Sequence, residues 1–317
     1  MRCLVTGASG FIGSNLTDQL LSHGHNVIGY DNFSTGRREF LDNALAKGNF
    51  QLVEGDILDK PHLASALDDC DIVYHMAANA DIRGGIRDTR VDLEQNTLGT
   101  HSVLEAMREV GCRHIAFASS SAVYGNASIV PTPENLPMPV QISLYGASKL
   151  AGEGLVSAYC EAFDFHAQIF RFVSVLGERY THGHVFDFVK QLRSDNSTLT
   201  ILGNGLQRKS YMDVRDCVSG IMMAVDKAAG RCEVYNLGPN YYVSVNQSVD
   251  WICSRMQVTP KKIYSGGDRG WIGDSPFVWL DPTKIMAMGW EPKVSIESAI
   301  TSTVDWLIAN LWAMDRC

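Results

Sequence analysis

Short apolar runs alternate with amphipathic stretches through the first half of the chain. Glycines follow the first run at once, and Leu16, Leu20 and Leu21 come after them at helical spacing. A longer helical pattern covers residues 91–110. Apolar strands that alternate with helices indicate a parallel sheet covered on both faces. We therefore predict an α/β fold, a Rossmann-type doubly wound parallel sheet. The predicted strands cover residues 3–5, 26–30, 50–54, 71–75 and 114–118.

The regular alternation weakens in the second half of the chain. We expect a first domain over residues 1–173 and a smaller α/β domain made of most of residues 174–317. A further apolar run at residues 233–237 predicts a strand that returns to the first sheet, within a segment that covers residues 210–240.

Three glycines separate the first predicted strand from the first predicted helix. Gly7, Gly10 and Gly13 would let the backbone turn tightly and approach a pyrophosphate at the helix N-terminus. Asp31 ends the second strand, where a carboxylate can bind a ribose diol and would repel a 2′-phosphate. The pattern predicts a dinucleotide site that favours NAD, and the nearby Arg37 leaves NADP open, as does Arg38. A structural turn followed by a surface aspartate is the alternative.

Small and polar residues also follow the other predicted strands. Asp56, Ala77, Ala78 and the serine run at residues 119–121 all lie at carboxyl ends. Ligands of parallel sheets bind beyond those ends. The coincidence favours a cofactor site at one edge of the sheet.

Tyr145 and Lys149 are four residues apart in a predicted helix. This spacing puts the phenol and the ammonium on one face, one turn apart. A nearby ammonium lowers the pKa of a tyrosine, which suits a general base. A chance pair on an amphipathic helix is the alternative.

Together these motifs resemble those of the extended short-chain dehydrogenase/reductases that act on nucleotide sugars. Within that family the chain is most similar to UDP-glucose/UDP-galactose 4-epimerases, which implies NAD as cofactor, a nucleotide sugar as substrate and a homodimer. The motifs of the family are Thr6–Gly13, residues 31–36, 55–57, 75–78 and 119–125, and Tyr145 with Lys149. The similarity to the 4-epimerases lies in residues 31–36, 79–83, 207–211 and 269–274.

The resemblance implies chemistry at the sugar 4-hydroxyl. Tyr145 would take its proton while C4 gives a hydride to NAD, and the 4-keto sugar would turn over and regain the hydride on its other face. Lys149 would lower the pKa of Tyr145 and bond the nicotinamide ribose, and Ser120 would relay the proton. Asn96 would steady the Lys149 region. A turn serine and a helix-surface amide are the alternatives for Ser120 and Asn96.

The same resemblance places the cofactor along the carboxyl edge of the first domain. The residues expected at NAD are Gly7, Gly10, Phe11, Ile12, Gly13, Asp31, Asn32, Ser34, Thr35, Gly36, Asp56, Ile57, Met76, Ala77, Ala78, Asn96, Ser119, Tyr145 and Lys149.

The second domain would hold the nucleotide sugar. Ser174 stands where family members commonly carry asparagine, and Lys209 occupies the position of a diphosphate-binding arginine. Val278 stands where enzymes restricted to plain hexoses carry tyrosine, so we expect N-acetyl sugars to fit. The residues expected at the substrate are Ser120, Ser121, Ser174, His184, Val185, Arg208, Lys209, Tyr211, Arg269, Asp274 and Val278.

Three classes of function stay open. The first is a UDP-sugar 4-epimerase with bound NAD, and the second is a hexuronate epimerase, a dehydratase or a net reductase. Dehydrating family members carry Thr-Asp-Glu where this chain has Ser120-Ser121-Ala122, although Asp81 and Glu178 could approach from other loops. The third is a non-catalytic NAD sensor, which would not need a proton-transfer group.

The composition of the chain restricts its expected partners and its expected location in the cell. Lys and Arg number 27 against 35 Asp and Glu, a formal charge of −8 without a basic block, which disfavours nucleic acid as a partner. Eight scattered cysteines without a Cys-x-x-Cys pair are typical of reduced thiols in a cytoplasmic protein and predict no metal site. No apolar run is long enough to span a bilayer, and the first strand leaves no room for a signal peptide.

Overall fold

The computed structural model describes residues 1–137 and 140–314. Its strands are β1 Arg2–Thr6, β2 Asn26–Asp31, β3 Phe50–Glu54, β4 Ile72–His75, β5 His114–Ala118, β6 His166–Phe172, β7 Ser174–Leu176, β8 Thr198–Ile201, β9 Arg208–Lys209, β10 Tyr211–Asp213, β11 Cys232–Leu237, β12 Val243–Ser244, β13 Lys261–Tyr264 and β14 Phe277–Val278. The longer helices are α1 Phe11–Ser22, α2 Lys60–Ala66, α3 Gly99–Val110, α4 Leu144–Phe163, α5 His184–Ser194, α6 Val214–Lys227, α7 Val245–Met256 and α8 Ile296–Ala309. Short helical turns cover Arg38–Leu41, Asp42–Leu45, Gly84–Arg87, Thr89–Asp92, Ser121–Tyr124, Thr283–Met286 and Leu311–Met314, and a π-helical segment covers Leu93–Leu98.

Seven of the described strands form one sheet in the order β11–β6–β5–β4–β1–β2–β3. The pairs from β3 to β6 are all parallel. The strand order reverses between β1 and β4, and in such sheets the crevice at that reversal is where ligands bind. The predicted Rossmann-type sheet is confirmed.

The central strands are apolar because both faces of the sheet are covered. Leu4, Val73 and Ile115 are fully buried, as are Val103 of α3 and Val156 of α4. These side chains belong to one core cluster, which ties the sheet to the helices that carry the site.

Most of the predicted strands agree closely with the observed ones. The strands at residues 50–54 and 114–118 have the predicted bounds, and the returning strand begins one residue earlier, at Cys232. The predicted helix over residues 91–110 begins earlier, at Thr89, and passes through the π-helical segment.

The chain divides into two compact units. The first unit contains residues 1–123, 144–171 and 218–235, and the second contains residues 124–143, 172–217 and 236–317. The expected boundary at residue 173 lies close to an observed one, but residues 124–143 group with the second unit. They do so because Thr132 pairs with Leu280 and because Asn236 Nδ2 donates to the Thr132 carbonyl oxygen at 2.9 Å.

The second unit is built from short strands and three longer helices. Strand β9 lies between β12 and β14, β10 pairs with β7, and β13 pairs with β8. Across residues 1–137 and 140–314, no helix has both the length and the apolar character needed to cross a bilayer.

Candidate active site

The glycine-rich turn lies at the end of β1, where the strand order reverses. Gly7 has φ +67°, and a Cβ there would lie 2.8 Å from Ala77 Cα, which follows β4. A Cβ at Gly13 would lie 2.0 Å from the Gly7 carbonyl oxygen. Side chains would therefore fill the space at the start of α1, and the N-terminus of a helix attracts a phosphate. Gly7, Gly10, Phe11, Ile12 and Gly13 thus fit the pyrophosphate of a dinucleotide.

Asp31 lies at the carboxyl end of β2 and is 7% exposed. Its Oδ2 accepts from Ser9 N at 2.9 Å and its Oδ1 accepts from Phe33 N at 2.8 Å. Each carboxylate oxygen has a second lone pair, so Asp31 is held in place and can still accept from a ribose diol. Its charge disfavours a 2′-phosphate.

The two arginines that left NADP open take different positions. Arg37 is 8% exposed and its N–H donates to the Ser9 carbonyl oxygen at 2.9 Å. The Arg38 guanidinium lies 5.8 Å from the centre of the Phe33 ring. The Arg38 guanidinium therefore lies over the Phe33 ring, in the loop that follows Asp31.

The other predicted cofactor residues lie along the same edge of the sheet. Asp56 accepts from Asn32 Nδ2 at 3.0 Å and from Leu58 N at 2.9 Å, which joins the loops after β2 and β3. Ala77 N donates to Thr6 Oγ1 at 3.2 Å, which joins the ends of β4 and β1. Ser34, Thr35 and Gly36 belong to the first of these loops, Ile57 follows Asp56, and Met76 and Ala78 flank Ala77.

The first turns of α4 carry the tyrosine and the lysine. Tyr145 is 8% exposed and Lys149 is 3% exposed. Lys149 Nζ donates to the Ala118 carbonyl oxygen at 2.9 Å and lies 5.2 Å from the centre of the Phe117 ring, at the end of β5. Ser120 hydrogen-bonds the Tyr145 side chain. The structure thus brings the three predicted catalytic side chains together.

The Ser120 hydroxyl stabilises a turn, which was its alternative role, and its role as a proton relay stays a prediction. Its Oγ accepts from Ala122 N at 3.1 Å, which stabilises the helical turn after β5. Because the same hydroxyl bonds Tyr145, the turn fixes its direction. Ser121 follows in the same turn and is half-buried.

The pKa of Tyr145 differs from the expectation that Lys149 alone suggested. Burial raises it to about 12, the hydrogen bond from Ser120 lowers it, and the charge of Asp92 raises it. Burial lowers the pKa of Lys149 to about 8, against the charges of Asp92 and Glu153. The expected lowering of the Tyr145 pKa is wrong because burial dominates the shift and Asp92 adds to it, while the group that opposes them is Ser120 rather than Lys149.

Asn96 is buried, with 1% exposure, and is not the helix-surface amide that was its alternative. It lies in the π-helical segment, and its Nδ2 donates to Ser148 Oγ at 3.0 Å. Ser148 Oγ in turn donates to the Tyr145 carbonyl oxygen at 2.8 Å. Asn96 therefore supports the turn of α4 between Tyr145 and Lys149.

Two buried polar groups behind the site were not identified from the sequence. Arg171 of β6 donates through Nη2 to Glu153 Oε2 at 2.6 Å, and Ser119 donates to the same carboxylate. His75 lies between Thr6 and Thr100, with ring nitrogens 2.8 and 3.1 Å from their hydroxyls. Burial and the charge of Lys149 lower the pKa of His75 to about 3, so it stays neutral. Each group joins elements far apart in sequence, which local patterns do not show.

A second cluster of predicted residues lies in the second unit. Lys209 Nζ donates to Asp274 Oδ1 at 2.6 Å and to the Ser275 carbonyl oxygen. Asp274 Oδ2 accepts from Gly270 N at 2.9 Å, and Arg269 Nη1 donates to the Asp274 carbonyl oxygen at 3.2 Å. Burial lowers the pKa of Lys209, and Asp274 raises it. Lys209 and Arg269 are therefore both held against Asp274 in this cluster.

Arg208 and Lys209 point to opposite faces of their strand. Val278 pairs with Lys209 and Phe277 pairs with Arg208, so Val278 shares a face with Lys209. The Arg208 guanidinium lies 4.0 Å from the centre of the Phe277 ring. Of the two predicted cations, only Lys209 belongs to the Asp274 cluster.

The remaining predicted substrate residues form a third group. His184 Nε2 lies 2.8 Å from Ser248 Oγ, and its ring stacks on Tyr211 at 4.5 Å. Tyr211 pairs with Ser174, whose side chain is exposed, whereas Val185 is fully buried. Burial and the charge of Lys209 lower the pKa of His184 to about 3. His184 is therefore a neutral hydrogen-bonding residue.

The chain is similar to known proteins over most of its length. Residues 3–238 match the model of the NAD dependent epimerase/dehydratase family. The chain is 32% identical to the UDP-glucose 4-epimerase of Mycolicibacterium smegmatis over 314 residues, which cover 96% of this chain and 98% of that protein. A solved UDP-galactose 4-epimerase is 34% identical, with a TM-score of 0.88, and the match covers 98% of this chain and 100% of that one.

A third match includes both a substrate and the cofactor. The UDP-glucuronic acid 4-epimerase of Bacillus cereus, solved with UDP-glucuronic acid and NAD, is 28% identical with a TM-score of 0.90. The match covers 98% of this chain and 99% of that one. The family expected from the motifs is confirmed, and with it the choice of NAD as cofactor. This chain belongs to the NAD dependent epimerase/dehydratase family.

Proposed function

We propose that the protein is a UDP-sugar 4-epimerase that keeps its NAD bound through each turnover. The observation that carries the proposal is the set of buried Tyr145, buried Lys149 and half-buried Ser120, in the same unit as a glycine-rich turn that fits a dinucleotide. Relatives named as 4-epimerases match nearly the whole chain.

The side chains divide the chemistry among them. Tyr145 takes the proton of the sugar 4-hydroxyl, and Ser120, already bonded to Tyr145, holds the reacting oxygen. Lys149 supplies the positive charge that offsets the buried phenolate. Bound NAD would accept the hydride from C4 and return it to the other face. In the second step Tyr145 returns the proton, which restores the starting state.

The two units take different parts of the ligands in this proposal. The first unit binds NAD through the glycine-rich turn and Asp31. The second unit binds the nucleotide sugar, with Lys209 and Arg269 at the diphosphate. The Asp274 carboxylate accepts from Lys209, and the Asp274 carbonyl oxygen accepts from Arg269.

The other classes of function have less support. Removal of water from the sugar needs an acid and a base, and Ser121 and Ala122 offer no carboxyl group. Asp81, one of the two candidates from other loops, accepts from Arg87 Nη2 at 2.9 Å and is occupied by that ion pair. A cofactor sensor has no use for a buried tyrosine bonded to serine beside a lysine.

Product analysis tests the function directly. Purified protein without added cofactor is incubated with UDP-galactose, UDP-GalNAc or UDP-glucuronate, and proton NMR follows the sugar. The expected result is conversion to the matching 4-epimer, with a rate that identifies the preferred sugar. A keto or unsaturated product would replace this function with dehydration, and three unchanged sugars would refute it.

Val278 is proposed to leave room for an N-acetyl group. It is half-buried and pairs with Lys209, the proposed diphosphate ligand. Val278→Tyr should lower kcat/KM for UDP-GalNAc by at least about tenfold, since added volume in a packed site forces other groups to move. UDP-galactose, assayed in parallel, should change by no more than about twofold. Equal losses for both sugars would contradict this role.

A further inference from the structure

A buried carboxylate lies beside the catalytic helix without a role in the proposed chemistry. Asp92 is 1% exposed and ends the helical turn Thr89–Asp92, directly before the π-helical segment Leu93–Leu98. π-Helical turns are rare and are frequently found at functional sites. This one places Asp92 and Asn96 on the side that faces α4.

One oxygen of Asp92 is linked to the catalytic turn. Asp92 Oδ1 accepts from Asn79 Nδ2 at 2.8 Å and from Asn96 Nδ2 at 3.2 Å. Asn96 Nδ2 also contacts Ser148 Oγ at 3.0 Å, and Ser148 bonds the Tyr145 carbonyl oxygen. The carboxylate is therefore held in a fixed position relative to Tyr145 and the next turn of α4.

The other oxygen of Asp92, Oδ2, lies in a different environment. Among the described residues, no donor reaches Asp92 Oδ2, which is buried. A Cβ at Gly85 would lie 2.3 Å from that oxygen, so the turn Gly84–Arg87 covers it closely. A buried anion without a full set of donors is costly unless a cation lies near it.

Lys149 is a buried cation whose hydrogen-bond acceptor carries no negative charge. Its ammonium is 3% exposed and donates to the Ala118 carbonyl oxygen at 2.9 Å. That acceptor is neutral, so the charge of Lys149 depends on carboxylates near it. Two carboxylates act on it, Asp92 and Glu153, and Glu153 is already paired with Arg171.

We propose that Asp92 is a positioning residue whose charge keeps Lys149 an ammonium and sets the pH range in which Tyr145 can act. The first half of this statement is independent of the proposed function, and the second half rests on it.

The surrounding charges agree with this role. Burial raises the pKa of Asp92, Asp81 raises it further, and Lys149 lowers it. Asp81 is itself paired with Arg87, and Arg83 lies 4.0 Å from it. On the catalytic side, Asp92 raises the pKa of both Lys149 and Tyr145, while His75, buried and neutral, adds no charge.

Kinetics of Asp92→Asn test the functional half. Asparagine keeps the acceptor for Asn79 and removes the charge, so the pKa of Tyr145 and the pKa of Lys149 should both fall. The acid and alkaline limbs of the kcat/KM profile should then both move to lower pH, by about one unit. Glu94→Gln, in the same helical stretch but at the surface, should leave both limbs in place. A lower rate with unmoved limbs would overturn the proposal, because a merely structural loss scales the profile without shifting it.

NMR of lysines labelled isotopically at Cε tests the other half without any turnover. Lys149 should titrate near pH 8 in the wild-type protein, well below ordinary lysines, and its signal is assigned by its loss in Lys149→Met. In Asp92→Asn its midpoint should fall, and an unchanged midpoint would refute the counter-charge. Asp92→Ser provides the same test should the asparagine variant fail to fold. If the wild type epimerises no sugar, the proposed function fails while this titration still decides the role of Asp92.

Discussion

Replacing Tyr145 with phenylalanine is expected to lower kcat by about 10³-fold, the range of a lost general acid–base group. The ring would stay in its buried position at the start of α4, so NAD should remain bound. The hydroxyl that Ser120 contacts would be gone, and no other group at that position could take the sugar proton. The measurement is the rate of 4-epimer formation, with NAD content determined on the same preparation.

Tyr159→Phe is the matched control for this substitution. Tyr159 lies on the same helix, is also 8% exposed, and its hydroxyl donates to Glu105 Oε1 at 2.6 Å. Loss of that hydrogen bond should cost about 1 kcal/mol of unfolding free energy and leave kcat within about twofold. If Tyr145→Phe kept more than about a tenth of wild-type activity, Tyr145 would not be the base.

The pH profile gives a second signature of the same residue. Burial raises the pKa of Tyr145 to about 12 in the ligand-free protein, so the phenolate form gains population as pH rises. The wild-type rate should therefore increase with pH along the acid limb. The residual rate of Tyr145→Phe should lack that limb.

The sheet could be predicted because its strands carry their own signal. The continuous apolar run His114–Ala118 is typical of a strand buried on both faces, and its bounds were read correctly. The bounds of the edge strand Phe50–Glu54, whose residues are half-buried or exposed, were also read correctly. The π-helical segment Leu93–Leu98 could not be read in the same way, because its sequence keeps an ordinary helical pattern. What distinguishes it is the tertiary network of Asn96.

The catalytic pair could be identified because four-residue spacing on one helix is a local property. Its electrostatics could not, because they depend on burial by the end of β5 and on Asp92, more than 50 residues earlier in sequence. Spacing predicted which side chains meet, but the direction of the Tyr145 pKa shift required the packing around them.

The substrate side shows the same limit. Sequence placed Arg208 and Lys209 together at a diphosphate, but neighbouring residues of a strand face opposite sides. Only the pairing of β9 with β14 reveals that Lys209 shares a face with Val278 while Arg208 stacks on Phe277. The register between two strands that are distant in sequence cannot be predicted from the local sequence of either strand.

Gly13→Ala is expected to abolish NAD retention, the second large effect. The new Cβ would lie 2.0 Å from the Gly7 carbonyl oxygen and 2.8 Å from the Gly7 carbonyl carbon, both backbone atoms. Gly7 cannot move away freely, because its backbone, at φ +67°, already packs closely against Ala77. The start of α1 must therefore shift, and the N–H groups that would meet the pyrophosphate shift with it. Overpacking of this kind should lower the unfolding free energy by about 1–3 kcal/mol.

Gly154→Ala separates this local clash from the general effect of adding a methyl group. Gly154 lies in the middle of α4, is exposed, and has open space where its Cβ would stand. There the same substitution should raise the unfolding free energy by about 0.5–1 kcal/mol, because alanine favours a helix over the unfolded chain. Denaturant titration gives the two free energies, and assay of NAD released on unfolding gives the cofactor content per chain. Opposite signs would place the requirement for glycine in the contact between Gly13 and Gly7, whereas full NAD content in Gly13→Ala would show that the turn is not the pyrophosphate site.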